Sequence, residues 1–440
     1  MIVTEQERSI QPALRERLAD GRRRSDALFQ IVRSEALYDR PIPERHRIIF
    51  YVGHLEAFDW NLLHEVIGAK GEHGAELDRL FAFGIDPVGG GLPTDQPSDW
   101  PARGAVSGYV AQVRRALDEA LEQDSAGTRD GFSIDTLLNV AIEHRLMHLE
   151  TLAYMLHQLP VEKKIRQADA TFAASGPIAH GMVNIPAGVA TLGLSRNPGT
   201  FGWDNEFERY EAPVPAFRID RYMVTNEQFL EFMAAGGYET RSFWNDNDWA
   251  WKSAQGIPHP VFWKHHGDQW FYQGMFEETP LPLNWPAYVS HAEASAYARW
   301  AGKSLPTEEQ WHRAAYGTAN GDERFYPWGT NPPNSTLGNF DFAGWDPAPV
   351  NAFPTGQSAF GVEGMLGNGW EWTSTVFAPF KGFEPFPFYR GYSADFFDGK
   401  HYVIKGGSAR TAECMLRPTF RNWFQGHYQY VYAGFRCVSS

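Results

Sequence analysis

The chain has 440 residues, a formal net charge of −14 at pH 7 and a sequence pI near 5.5. This length predicts two domains, and acidity without a run of Lys or Arg argues against a nucleic-acid or anionic-membrane partner. The first residues, MIVTEQERSI, show no signal-peptide pattern and no window resembles a membrane span, so we expect a cytoplasmic protein. With only Cys414 and Cys437 present, a bound metal would need nitrogen or oxygen ligands.

Residues 1–165 carry four segments in which apolar residues recur at three- and four-residue steps, as in amphipathic helices. They are PALRERLADGRRRSDALFQIV, RHRIIFYVGHLEAFDWNLLHEVIG, GAVSGYVAQVRRALDEALEQ and SIDTLLNVAIEHRLMHLETLAYMLHQL. Ser133 is the predicted N-cap of the last helix, and Pro160 follows its end. These helices predict a four-helix bundle, with a long Gly- and Pro-rich loop, GIDPVGGGLPTDQPSDWP, between the second and the third.

The second half of the chain loses this periodicity. From about residue 180, short β-like runs alternate with Gly, Pro, Asn and aromatic residues, as in HGMVNIPAGVATLG. Only HAEASAYARWAGK and TEEQWHRAAYG are predicted as clear helices there. We therefore expect an irregular α+β domain over 181–440, joined to the bundle by a linker over 166–180.

Two histidines of the last predicted bundle helix, His144 and His148, lie four residues apart and hence on one helical face. Such a pair arises often without a metal, so a metal site needs a third ligand. His54 is the main candidate, because it lies in an apolar and aromatic stretch of the second helix where an unpaired imidazole would be costly to bury. Facing helices of a bundle commonly assemble metal sites from such residues.

Several alternatives to this ligand set remain open. His46, His64 and His157 are other histidines of the predicted helices, although none combines the right face with so apolar a setting. Glu150 would complete a two-histidine, one-carboxylate site, but on a straight helix it points roughly 120–160° away from the histidine pair. Three imidazoles with open positions suit zinc as well as Fe(II).

The motif H-x3-H-x-E at residues 144–150, preceded by His54, resembles the DinB-like bundle of the ergothioneine sulfoxide synthase family. The second half resembles the formylglycine-generating (sulfatase-modifying, C-type-lectin-like) domain that this family fuses to its bundle. The resemblance is carried by DNEFERYEAPVPAFRIDRYMVTNEQFLEFM, AYARWAGKSLPTEEQWHRAA, GNGWEWTS, YVIKGGSARTA, RPTFRNWF and AGFRCV. It implies that His54, His144 and His148 bind Fe(II), which uses O2 to join a sulfur donor to the imidazole C2 of hercynine.

The resemblance also implies substrate contacts. They are Met147 on the histidine helix and, in the C-terminal segment that would line the pocket, Arg417, Arg421, Asn422, Trp423 and Phe424. The two arginines are equally well explained as internal ion-pair partners. Tyr389 is the remaining phenol near positions where the family has tyrosines, because Phe380 and Phe388 occupy two of them, and it is the candidate catalytic proton donor.

Three departures from the family pattern concern the donor. Met147 stands where a glutamine is usual, Phe424 stands where an aspartate is usual, and the loop GIDPVGGGLPTDQPSDWP has no arginine. A γ-glutamylcysteine or cysteine donor would therefore lack charged partners. The pattern resembles the selenoneine synthase branch of the family and predicts a neutral selenosugar as the donor.

Two other functions compete with this interpretation. Formylglycine generation resembles a paired-cysteine copper chemistry, whereas Cys414 and Cys437 lie in different sequence contexts. A non-catalytic protein would combine a lectin-like binding module with a structural zinc site formed by the histidines. Dependence of turnover on iron and O2 distinguishes the oxygenase from this non-catalytic protein.

Overall fold

The computed structural model describes residues 11–71, 74–82, 92–123, 127–197 and 199–440. The chain divides into two compact units, Met1–Gln167 and Ala168–Ser440. None of the helices in these described stretches combines the length and the apolar character that crossing a membrane requires.

The first unit is helical. Its α-helices are α1 Pro12–Gln30, α2 Ile48–Leu63, α3 Ala75–Phe81, α4 Arg103–Glu122 and α5 Ile134–His157. The four long ones confirm the predicted bundle, in which α5 packs on α1 and α2, and α2 also contacts α4. The short α3 was not predicted and packs on α2. A two-residue hairpin, β1 Thr128–Arg129 and β2 Phe132–Ser133, precedes α5.

Helix α5 begins and ends as its sequence predicts. The Oγ atom of Ser133 accepts a hydrogen bond from the Thr136 N–H at 3.3 Å, which satisfies one of the free donors of the first turn. The helix ends at His157, three residues before Pro160. Nearly all of its side chains are buried, including charged ones, because neighbouring helices cover more than one of its faces.

The second unit contains small sheets joined by long irregular segments. Its strands are β3 Met182–Ile185, β4 Gly188–Leu192, β5 Tyr210–Val214, β6 Phe217–Asp220, β7 Trp263–His266, β8 Gln269–Gln273, β9 Glu278–Pro280, β10 Trp370–Val376, β11 His401–Lys405, β12 Asn422–Gln425, β13 Ala433–Gly434 and β14 Val438–Ser439. The four-stranded sheet has the order β12-β11-β10-β13, with β13 parallel to β10. The other sheets have the orders β14-β6-β3, β4-β5 and β7-β8-β9. This arrangement confirms the predicted irregular α+β architecture.

The prediction of only two clear helices in the second half was wrong. Besides α8 His291–Trp300 and α9 Glu308–Tyr316, the unit contains α6 Asn226–Ala234 and α7 Asp246–Gln255. Helix α6 begins with a capping box between Thr225 and Gln228. Helix α7 buries only Asp248, so it has no apolar stripe that periodicity could detect.

Part of the segment predicted as a linker is packed on the second unit. The Asp169 carboxylate accepts a hydrogen bond from the Trp345 N–H at 2.9 Å, and the Ser175 hydroxyl donates to the Asn351 carbonyl at 2.7 Å. Phe172 makes an edge contact with Phe353, with ring centroids 5.1 Å apart. These contacts explain why the second compact unit begins near residue 168.

Candidate metal centre

The three predicted ligands lie together within the first unit. Helix α2 supplies His54, and helix α5 supplies His144 and His148 from consecutive turns. One ligand atom from each imidazole lies within 4.8 Å of the others, and all three residues are buried. The Nε2 atoms of His144 and His148 are 3.1 Å apart. Two nitrogens bound at about 2.1 Å and at angles of about 90–109° would be about 3.0–3.4 Å apart, so this separation fits a shared metal ion.

Burial keeps these imidazoles neutral. It lowers the pKa of His54 to about 4, and it lowers the pKa values of His144 and His148 well below their usual range. The positive charges of neighbouring side chains add to this effect, with Arg145 acting on all three. A neutral imidazole has the free lone pair that a metal requires, so no proton has to be displaced at neutral pH.

Aromatic rings pack against the ligands. Phe50 stacks on His54 with ring centroids 4.8 Å apart, and Phe58 stacks on His144 at 3.4 Å. Tyr51 lies 6.0 Å from the ring of His148. The site is therefore an apolar enclosure in which the imidazoles are held by ring packing, as the aromatic setting of His54 in the sequence indicated.

A buried ion-pair network lies beside the histidines. The Arg145 guanidinium donates to both carboxylate oxygens of Glu56 at 3.0 Å and to Asp59 at 2.6 Å. Arg114 also pairs with Glu56, at 2.8 Å. Burial alone would raise the pKa of Glu56, but Arg145 and Arg114 lower it to about 2. Because Glu56 follows His54 by two residues and Arg145 follows His144 directly, the network joins the two ligand-bearing helices.

The alternative ligands do not belong to this group in the described part of the chain. The ring of His46 packs on Phe50 at 4.2 Å, and His64 Nδ1 contacts the Trp60 carbonyl at 2.8 Å. His157 and Glu150 are buried elsewhere on α5. That Glu150 is not a ligand stays a prediction.

The structure describes Met147 and part of the arginine-free loop, two of the features from which the donor was predicted. Met147 is half-buried on α5, directly before His148. In the arginine-free loop, residues 83–91 lie outside the described residues. The rest of the loop is anchored by Asp95, whose carboxylate accepts hydrogen bonds from Arg47 at 2.9 Å and from the Trp100 indole at 2.7 Å. Arg40 pairs with the same carboxylate.

In the second unit, Tyr389 belongs to an aromatic cluster around the buried Trp203. Its ring centroid lies 6.4 Å from Trp203 and 5.6 Å from Tyr392. Tyr392 itself stacks on Trp203 at 4.0 Å. Tyr389 is therefore not the sole phenol of this segment, because Tyr392, which sequence reasoning passed over, lies beside it.

Arg417 and Arg421 both form ion pairs inside the second unit. Arg417 pairs with the buried Glu206, and its Nε lies 2.9 Å from a carboxylate oxygen. Arg421 is 2 % exposed and donates from Nε to Glu308 at 3.0 Å. Their charges are thus compensated within the fold, which favours the internal ion-pair interpretation. A substrate role for either arginine stays a prediction.

Asn422, Trp423 and Phe424 form strand β12, which pairs antiparallel with β11. All three side chains are half-buried. Trp423 stacks on Phe377 with ring centroids 4.2 Å apart, and Phe424 stacks on Tyr428 at 5.3 Å. The segment is thus held rigidly by backbone pairing and ring stacking, while its substrate contacts stay a prediction.

Comparison with known proteins matches both units to domain families. Residues 17–152 match the DinB superfamily, and residues 169–440 match the sulfatase-modifying factor enzyme 1-like domain. A hercynine oxygenase of Mycobacterium tuberculosis is 37% identical over 338 residues, covering 76% of this chain and 77% of that protein. One from Mycolicibacterium smegmatis is 36% identical over 374 residues, covering 82% and 83%. Ergothioneine biosynthesis protein 1 of Neurospora crassa is 28% identical over 496 residues, covering 93% of this chain and 55% of that protein.

The chain is thus a two-domain protein in which a DinB domain precedes a sulfatase-modifying-factor domain, and its two mycobacterial relatives are oxygenases by name. The chain belongs to the hercynine oxygenase family. It is an enzyme, an oxidoreductase, as the sequence predicted.

Proposed function

We propose that this enzyme is an Fe(II)- and O2-dependent oxidoreductase that joins a selenosugar to the imidazole C2 of hercynine. The coupling replaces the C2–H and Se–H bonds by a C–Se bond and releases two protons and two electrons, which O2 accepts. The observation that carries the proposal is the buried group of three neutral imidazoles, His54, His144 and His148, in a member of the hercynine oxygenase family.

The donor set fits Fe(II). Among the described residues, the group consists of three imidazole nitrogens with no thiolate or carboxylate, and it leaves coordination positions for small molecules, which a structural zinc site would not need. When bound, the metal would supply O2 activation. The protein residues would hold the ion, exclude water through the rings of Phe50 and Phe58, and keep the imidazoles unprotonated.

Support for the selenosugar comes from the absence, at three places in the sequence, of polar or charged residues that the family pattern has there. The sequence has Met147 and Phe424 at positions where the family pattern has polar residues, and the loop over 84–101 has no arginine. A zwitterionic γ-glutamylcysteine would leave charges without partners, and each such buried charge costs several kcal/mol. A neutral sugar presents C–H faces that the aromatic side chains of β12 and its surroundings suit.

The residues of the second unit have proposed roles in this reaction. Tyr389 would act as the proton donor. Asn422 and Trp423 would bind hercynine, and the Trp423 ring would make a cation–π contact with its trimethylammonium group. Arg417 and Arg421 would act through their ion pairs with Glu206 and Glu308, by holding the segment that ends in β12.

A second candidate function is an ergothioneine-type sulfoxide synthase that uses γ-glutamylcysteine or cysteine with hercynine. The names of the relatives favour it, because the compared proteins are hercynine oxygenases and an ergothioneine biosynthesis protein. It requires the same metal and the same acceptor, so only the donor distinguishes the two functions.

The metal assignment is tested by metal analysis of His54→Ala, His144→Ala and His148→Ala. Each variant is expected to lose iron and turnover while keeping the far-ultraviolet circular dichroism of the native protein. Full iron retention in His54→Ala would mean that the third ligand is wrong.

The donor is tested by a competition assay with hercynine, O2, Fe(II) and equal concentrations of a 1-seleno-hexose and γ-glutamylcysteine. The selenium product is expected to predominate by about a thousandfold or more, because the thiol donor leaves its charges unpaired. Preference for γ-glutamylcysteine would place the enzyme with the ergothioneine synthases instead.

A further inference from the structure

The His54 side chain makes one hydrogen bond that fixes its chemical form. Its Nδ1 atom lies 2.7 Å from the carbonyl oxygen of Phe81, the last residue of α3. A carbonyl oxygen only accepts hydrogen bonds, so the neutral imidazole must carry its proton on Nδ1. The lone pair is then on Nε2, the other ring nitrogen, which remains for a metal ion.

Gly53, directly before His54, makes the approach of Phe81 feasible. A Cβ atom at this position would lie 2.4 Å from two carbons of the Phe81 ring, well inside any normal contact. Glycine within a helix costs about 1 kcal/mol relative to alanine, and in α2 the close packing of Phe81 offsets this cost. Gly108, within α4, shows the contrast, because a Cβ there would meet no atom within 4 Å.

Helix α3 is held in place from its other side as well. The Tyr109 hydroxyl of α4 donates to the Asp78 carboxylate at 2.8 Å. The Phe81 ring is fully buried and packs against the Tyr109 and Trp100 rings, at 5.6 and 6.5 Å between centroids. A ring so enclosed cannot move aside without shifting the carbonyl that His54 contacts.

We infer that the contact between Gly53 and Phe81 positions His54, by setting both its tautomer and the direction of its Nε2 lone pair. Gly53 and Phe81 are positioning residues that act through the histidine, and the role rests on the proposed metal centre. Hydrogen-bond partners of metal-binding histidines typically contribute about 10–100-fold to metal affinity. The same size of effect is expected here from a main-chain acceptor.

The test compares Gly53→Ala with the matched control Gly108→Ala, using Co(II) as a spectroscopic probe under anaerobic conditions. Both variants gain helix propensity, so a purely local helix effect would be the same in each. Gly53→Ala is expected to bind Co(II) about 10–100-fold more weakly, and Gly108→Ala to stay within about twofold of the native protein. Native-like affinity in a folded Gly53→Ala protein would overturn the inference.

A second measurement is independent of metal. Nitrogen-15 NMR of the metal-free protein with labelled histidine is expected to show His54 as the Nδ1–H tautomer, and Gly53→Ala is expected to populate the Nε2–H tautomer. An Nε2–H tautomer in the native protein would overturn the inference whatever the metal does. If the native protein has the Nδ1–H tautomer but binds no Co(II) or Fe(II), the proposed metal centre fails and the positioning contact stands.

A third variant covers the case in which Gly53→Ala does not fold. Tyr109→Phe removes only the hydrogen bond to Asp78 and so loosens α3 without adding an atom. It is expected to weaken Co(II) binding severalfold and to speed the exchange of the His54 Nδ1 proton with water. Unchanged affinity together with unchanged exchange would contradict a positioning role for α3.

Discussion

Phe424 is the single side chain at which the donor preference can be tested most directly. It lies on β12 and stacks on Tyr428, with no carboxylate of its own to offer an ammonium group. Phe424→Asp is expected to raise kcat/KM for γ-glutamylcysteine relative to the selenosugar by about tenfold or more, because the new carboxylate pairs with the donor's charge. Competition assays on the variant measure this ratio.

The control for this change is Phe424→Leu, which keeps the position apolar. It is expected to lower both kcat/KM values by a similar factor through lost stacking, so that their ratio stays within about twofold. If Phe424→Asp also lowered both values equally, the position would not contact the donor, and the selenosugar proposal would lose one of its three supports.

Sequence reasoning can pair residues that are close in the chain, but it could not name the ion-pair partners of Arg417 and Arg421, which are distant. His144 and His148 lie on consecutive turns, so helical spacing alone places them together. The partner of Arg417, Glu206, is 211 residues away, and that of Arg421, Glu308, is 113 residues away. No local sequence pattern predicts such pairs. The ion-pair partners of both arginines are therefore known only from the folded structure.

At the scale of elements, α2 and α5 are joined by charge as well as by apolar packing. Arg145 is completely buried and forms ion pairs with Glu56 and Asp59, which are completely or almost completely buried themselves. Sequence patterns do not indicate this network, because a charged residue between apolar ones in a helix is usually assigned to the solvent face. Short α3 and polar α7 were missed for a related reason, since neither shows a full apolar stripe.

Arg145→Met is expected to destabilise the protein by about 3–5 kcal/mol, because it leaves the buried Asp59 carboxylate without its ion-pair partner and Glu56 paired with Arg114 alone. The free energy of unfolding in urea at pH 7 measures the loss. Arg23→Met is the matched control: Arg23 lies on α1 with a side chain that is 70% exposed, and it pairs only with the neighbouring Asp20. A change within about 0.5 kcal/mol is expected there.

Adding Asp59→Asn to Arg145→Met should recover part of the lost stability, since it removes the buried carboxylate that the first substitution leaves uncompensated. A loss of less than about 1 kcal/mol in Arg145→Met alone would show that the network is not essential to the bundle. In that case, apolar packing would be what holds α2 against α5. Arg145→Met should then also bind metal with native affinity.

At the scale of the whole molecule, both units bury histidines in neutral form. In the first unit these are the three metal-site histidines, and in the second they include His291 and His312, whose pKa values burial lowers. An unfolded chain exposes all of these imidazoles to water, where each titrates near pH 6.5. The metal-free protein should therefore lose stability as the pH falls below about 6.5, in both units.

His291 allows this to be measured apart from the metal site. Burial is the largest cause that lowers its pKa, Arg299 and His427 add to the effect, Asp248 opposes it, and the resulting pKa is about 4. Because the folded pKa lies below the unfolded one, the unfolded chain binds more protons between pH 6.5 and about 4, so stability falls as the pH falls through that window. From pH 7.5 to 5 the contribution of His291 to this loss is about 2 kcal/mol.

His291→Phe keeps a flat ring to stack on Tyr402, which lies 3.7 Å away between centroids, but it cannot bind a proton. The variant is expected to lose about 2 kcal/mol less stability than the native protein between pH 7.5 and pH 5, measured by urea unfolding with a chelator present. His266→Phe, at a site with a 58% exposed side chain, is the control for the substitution itself. An equal pH dependence in His291→Phe and the native protein would mean that His291 is not buried in neutral form, and the acid sensitivity would then have to arise from the other histidines.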